Sequence, residues 1–232
     1  TTALLQLASG HQSADGVAEN QPAKLAAFEG HFAESAPADL YLLGWVNKET
    51  QTVKGIKLPG GLSFLVDWNF TTPIKGLNAF PEDERPSAVN AVFQFYHIMV
   101  AIGMLLILIT LYGTVQWWRG EIFKQRWYLW ILVFAVFLPQ ISNQLGWFAA
   151  EMGRQPWVVY GHLRTADALS ESVDASSVLF SLIFFTLIYA LLFTLFIYLL
   201  DRKIKKGPYD ESDIPDRPLL KDIAYQFDNK KS

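Results

Sequence analysis

Asp, Glu, Lys and Arg are spread unevenly along the chain. They cluster at 10–86, 119–126, 151–174 and 201–232, and they are missing from three apolar runs, 87–118, 127–150 and 175–200. Each run exceeds the ~20 residues a helix needs to cross about 30 Å of hydrocarbon. Core helices of a water-soluble protein are usually shorter and carry a charged outer face, so the pattern predicts three membrane-spanning helices. The first ends on Trp117 and Trp118, where indole rings suit the lipid–water boundary. Pro139 lies inside the second and predicts a kink. The third is nearly all Leu, Ile, Phe, Val and Tyr, broken by Ser and Thr, and is expected to face lipid over much of its surface.

The other segments divide around these spans. Residues 1–9 are apolar but too short to cross, and they read as the last turns of a preceding transmembrane helix. Residues 10–88 form a long polar segment with its own apolar stretches, too rich in them for disorder and too long for a mere connector. Its first part suggests a helix over 15–33 with Pro22 near a helix start. Residues 40–75, broken by Pro59, Gly60, Gly61 and Pro73, suggest short helices or strands against a membrane surface. The region 89–200 holds the three spans, and 201–232 reads as a tail, flexible from 207 onwards. Arg119, Lys124 and Arg126 lie on the same side as Arg202, Lys203, Lys205 and Lys206 in a three-span path. The bias of basic residues places that side in the cytoplasm. The long segment 10–88 and the loop 151–173 then share the outer side.

Charge and composition exclude some chemistry. A net charge of −3 points to no nucleic-acid partner, and the absence of cysteine rules out disulfides, thiolate metal sites and cysteine nucleophiles. What remains is a polar stripe inside the second span. Gln140, Gln144, Trp147 and Glu151 follow at steps of four, three and four, which puts them on one helix face. Polar groups within a membrane need partners, and such residues are functional candidates. Glu151 either pairs with Arg154 one turn on or offers a carboxylate to a metal. Met99 either packs or offers a thioether to haem iron. His97, two positions earlier, points away from Met99 on a helix, so the two do not serve one iron. Lys24 and Glu29, about one and a half turns apart, are either a solvated face or an ammonium and a proton acceptor beside a redox-active hydroxyl.

Four blocks carry a family resemblance. They are GHxSAxxVAxxQPxKLAAxEG at 10–30, FxxIMVxxG at 95–103, GWFxAExGRQPW at 146–157 and GxLRTADAxS at 161–170. In this order they resemble the C-terminal part of subunit I of cytochrome bd-type quinol oxidases, over essentially the whole chain. The resemblance implies an all-α membrane protein: three transmembrane helices of a larger helical bundle, with an outer-face Q-loop. It implies a bacterial cytoplasmic (inner) membrane location, with the Q-loop outside and the tail inside.

The same resemblance implies roles. Lys24 and Glu29 match positions implicated in quinol oxidation. Met99 matches the methionine ligand of the low-spin haem b, and Glu151 a carboxylate ligand in the high-spin pair of haem b with haem d or a further haem b. Arg154 matches the arginine of GRQPW, with Gln155 and Trp157 beside it. Trp147 is expected to pack on a macrocycle and His97 to meet a propionate. The expected partners are quinol and oxygen, the N-terminal part of subunit I, subunit II, a small single-helix subunit and the lipid membrane. The implied reaction oxidises quinol at the outer face and reduces oxygen to water. Two positions depart from the family: His97 stands where Arg is frequent, and Gln144 where enterobacterial members carry Glu. A membrane scaffold without redox cofactors and a haem-binding transporter are the alternative classes.

Overall fold

The computed structural model describes residues 2–170 and 172–207, and the tail expected at 207–232 lies outside the described residues from 208 onwards. The chain divides into two units, Thr1–Leu169 and Ser170–Ser232. Among the described residues three helical stretches are long and apolar enough to cross a membrane: Glu82–Trp118, Arg126–Gly153 and Ala175–Lys206.

The first unit begins with α1 (Thr2–Asn20) and α2 (Pro22–Phe28). The helix over the first residues thus continues to Asn20, well past residue 9. Pro22 ends it, because the residue before a proline is pushed out of the helical region. The same proline then opens α2 at a position where its missing N–H costs nothing. Only seven residues long, α2 is held by packing: Ala23, Leu25, Ala26, Ala27 and Phe28 are all buried. Its small side chains let it sit close against α4 (Val89–Trp118), where Val89, Val92 and Phe93 are buried in the same core.

A hairpin follows, β1 (Leu40–Asn47) paired antiparallel with β2 (Thr52–Leu58). Asn47 closes its turn by accepting hydrogen bonds from the Glu49 and Thr50 amides at 2.9 and 3.1 Å. Val46 of β1 packs into the α2–α4 core. Gly30, just after α2, has φ +61, and a Cβ there would lie 2.9 Å from methyls of both Val46 and Val53. Only glycine meets both demands. The short helix α3 (Gly61–Asp67) covers a second small core of Ala38, Leu62 and Ile74.

The second span is two helices, α5 (Arg126–Ala135) and α6 (Leu138–Gly153). The interruption falls where the kink was expected at Pro139: Val136 and Phe137, between the two helices, keep helical dihedrals, and 126–153 stays one helical stretch. A proline lacks the N–H that would bond the carbonyl four residues back, and its ring clashes with that carbonyl; here that carbonyl belongs to Ala135, where α5 stops. α6 packs along α4 through Gly146, Ala149 and Gly153, small residues on one face that allow close approach. A small hairpin, β3 (Trp157–Val159) with β4 (Leu163–Arg164), closes the unit. The second unit contains α7 (Ala175–Lys206), a helix with no buried residue and with Lys203, Lys205 and Lys206 in its last turn, where cations suit the helix dipole.

Candidate functional site

The site is built where α2 is wedged between α4 and the end of α6. Lys24 lies on α2 and Glu29 is the residue that caps its end, five positions on, which at 3.6 residues per turn separates them by about 140° around the axis. They consequently serve two different places. Lys24 faces the end of α6: its Cγ lies near Gly153, and its charge is felt by the Glu151–Arg154 pair. Glu29 faces α4 and the β1 hairpin.

Around Lys24 a small cleft is lined by Gln21, Lys24, Glu84, Arg154, Trp157 and Tyr160. Glu151 and Arg154 form an ion pair at 2.5 Å, each about one-third exposed. Gln155 joins two segments: its amide donates to the Glu151 carbonyl at 3.4 Å, and its carbonyl oxygen accepts from the Thr165 hydroxyl at 2.7 Å. The Trp157 ring lies 5.1 Å from the Arg164 guanidinium, which in turn pairs with Asp83 at 2.7 Å. The Gly153–Trp157 turn is thereby fastened to the segment preceding α4. Three polar atoms buried in this cleft find no hydrogen-bond partner among the described residues: Gln21 Oε1, Arg154 Nε and Trp157 Nε1. Burial lowers the Lys24 amine below its ordinary value, and the Arg154 charge lowers it further against a smaller opposing effect of Glu151.

Glu29 is 1% exposed. Burial pushes its carboxyl up to about 8, because the charged form loses its water. Its Oε2 has no hydrogen-bond partner and lies 3.9 Å from His97 Nε2, too far for a hydrogen bond. That nitrogen instead meets the Tyr41 carbonyl at 2.6 Å, while Nδ1 meets the Phe93 carbonyl at 2.9 Å.

Met99 lies apart from both places, at the α4–α6 contact. Its sulfur would be 2.6 Å from a Cβ on Gly146, and its carbonyl accepts from the Ser142 hydroxyl at 3.3 Å. Trp147 is exposed on the opposite face of α6, in line with the exposed Gln140 and Gln144. The structure therefore brings Lys24, Glu151, Arg154, Gln155 and Trp157 together. It places Glu29 with His97, and leaves Met99 and Trp147 on different faces. The sequence reading missed Gln21, Glu84 and Tyr160. Gln21 carried a signal, since it sits in the QPxK block; Glu84 and Tyr160 arrive from distant segments and carried none.

Residues 1–208 match the profile of a family described as Cytochrome bd terminal oxidase subunit I. The chain belongs to that family. A Bacillus subtilis (strain 168) protein provisionally named cytochrome bd menaquinol oxidase subunit I is 39% identical, with 90% of this chain and 46% of that protein covered. The cytochrome bd ubiquinol oxidase subunit 1 of the same strain is 34% identical over 89% of this chain and 47% of its own length. The bd oxidase structure from Geobacillus thermodenitrificans superposes with a TM-score of 0.72 at 32% identity, covering 89% of this chain and 47% of that chain. The chain thus spans about half the length of the curated relatives it matches.

Family membership implies haem, and the residues present suit it. Met99 supplies a soft thioether at a helix–helix contact. Arg154 Nε and Trp157 Nε1 are buried donors without a partner among the described residues, the kind of group that would suit a propionate or another anion. Among the described residues no group of three or more His, Asp or Glu is placed to hold a bare metal ion; single axial ligands of a porphyrin require none.

Proposed function

We propose that this chain forms the quinol-oxidising portion of a membrane quinol:oxygen oxidoreductase. The observation that carries this reading is the wedging of α2 against the Gly153–Trp157 turn. It joins Lys24 to a cleft of unpaired buried donors while burying Glu29 a short distance away.

In this reading quinol binds on the outer face, against the segment 10–88. The Lys24 ammonium and the Trp157 indole orient its oxygen atoms. Glu29, ionised once the pH passes about 8 and partly so below it, accepts a proton as the hydroxyl is oxidised. A carboxyl tuned upward by burial is a better base at neutral pH than an exposed one. When bound, haem supplies the electron transfer and, at an iron with an open position, the reduction of oxygen to water. Met99 would hold the low-spin haem b and Glu151 an iron of the high-spin pair, whether haem b or haem d. Arg154 would hold a propionate. The other half of subunit I, subunit II and a small subunit would complete the assembly, with 119–126 and 201–206 on the cytoplasmic side of the inner membrane.

The test is oxygen uptake by the assembled complex in membranes supplied with a quinol, run beside its reduced-minus-oxidised spectrum. Quinol-dependent uptake with b-type bands is expected. Pigment-free membranes, or uptake indifferent to quinol, would overturn the reading.

A further inference from the structure

The outward edge of β1 ends against a helix rather than a third strand. Three of its groups that face away from β2 are nevertheless paired. The Val46 amide donates to Asn90 Oδ1 at 3.0 Å, the Gly44 carbonyl accepts from Gln94 Nε2 at 2.7 Å, and the Tyr41 carbonyl meets His97 Nε2 at 2.6 Å. Gln94 also donates to Asn90 Oδ1 at 3.4 Å, so neighbouring rungs support one another. Asn90, Gln94 and His97 follow at steps of four and three along α4, which sets them on one face as a column. The column advances toward the middle of the helix as β1 is read backwards, so strand and helix run antiparallel with matched polar groups.

Unpaired backbone groups on a strand edge are costly when buried and are open to wrong pairing when exposed. Three polar side chains in the opening turns of an apolar span are costly as well. Each set satisfies the other. The hairpin so fastened lies over the end of α2: the methyls of Val46 and Val53 close on Gly30, and the Tyr41 carbonyl and His97 stand beside Glu29.

We propose that Asn90, Gln94 and His97 act as a polar ladder in place of a third strand, clamping the β1–β2 hairpin closed over Glu29 and keeping water from it. They are positioning residues, and the proposal rests on Glu29 as the proton acceptor. The titratable side chains facing Glu29 are His97 and Tyr96, both from α4. Opening the hairpin would admit water to Glu29 and let its carboxyl ionise at lower pH.

The test uses the assembled oxidase in lipid nanodiscs with Asn90→Leu and Gln94→Met, which keep bulk and remove the hydrogen bonds, and Asn90→Asp, which keeps the acceptor. Amide hydrogen exchange over 41–47 should quicken about tenfold in the first two, the effect of one lost hydrogen bond, and should return toward the parental rate in Asn90→Asp. In the same two variants the acid limb of quinol oxidation should move to lower pH, with haem reduction by an artificial donor unchanged. Parental exchange rates would overturn the ladder. Faster exchange with an unmoved acid limb would overturn its action on Glu29. If the parental enzyme shows no acid limb while the variants exchange faster, the clamp stands and the reading of Glu29 as acceptor fails. Should Asn90→Leu fail to assemble, Gln94→Met alone decides between these outcomes.

Discussion

Gly153→Ala tests whether the close contact between α2 and α6 matters. A methyl at Gly153 would lie 3.0 Å from Phe28 Cε1 and 3.3 Å from both Lys24 Cγ and Val92 Cγ1. Carbon atoms prefer roughly 3.5–4.0 Å, so these neighbours must retreat by roughly 0.2–1 Å. Lys24 can swing aside. Phe28 cannot do so freely, because its ring stacks on Tyr96 at 4.5 Å and is packed into the core. Val92 is fully buried on α4. The strain therefore falls on α2 as a body. Overpacking of this kind costs about 1–3 kcal/mol. The gain in helix propensity from Gly to Ala returns at most about 1 kcal/mol in a helix interior, and less at this last residue of α6. The net is a loss. The assembled oxidase should melt a few degrees lower. Quinol oxidation should fall by about tenfold, since sites tolerate only about 0.5 Å of misplacement. Haem reduction by an artificial donor should persist. A variant with the parental melt and the parental KM for quinol would refute the reasoning.

Three further outcomes are expected. A Cβ on Gly146 would stand 2.6 Å from the Met99 sulfur; Gly146→Ala should displace the thioether and perturb the low-spin haem b bands, and Met99→Leu should abolish them, both read in reduced-minus-oxidised spectra. Glu151→Ala leaves Arg154 without its ion-pair partner and should alter the high-spin haem bands and oxygen reduction, checked by the spectrum and by oxygen uptake. Glu29 ionises near 4.5 in the unfolded chain but only at about 8 in the folded one. The folded state thus binds more protons between those values, and stability falls as pH rises through that window and levels off above it. Glu29→Gln removes the effect, so its melting temperature relative to the parent should climb from pH 5 to 8; a constant difference would contradict the burial.

Much of the frame was legible because it rests on composition over long stretches. The charge-free runs gave the spans, and Pro139 marked the interruption in the second. Pro22 announced the start of α2. The divergence of Lys24 and Glu29 was latent in their spacing, but its meaning required knowing what packs on either side of α2. The ladder of Asn90 and Gln94 was overlooked for a similar reason. Their helical spacing with His97 was visible in the sequence, yet their partners are backbone groups some 44 and 50 positions away, and a backbone group leaves no mark on side-chain patterns. The stripe of Gln140, Gln144, Trp147 and Glu151 was correctly placed on one face. Only Glu151 connects to the cleft, through its ion pair with Arg154 at the end of α6.

The central claim is that α2 receives quinol and its proton. It is tested most directly by comparing two electron sources in the assembled oxidase carrying Lys24→Met or Glu29→Gln. Steady-state quinol oxidation should fall at least about tenfold, in keeping with the loss of a general base, while an artificial donor reduces the haems at the parental rate. Equal loss with both donors, or quinol oxidation undiminished, would contradict the account.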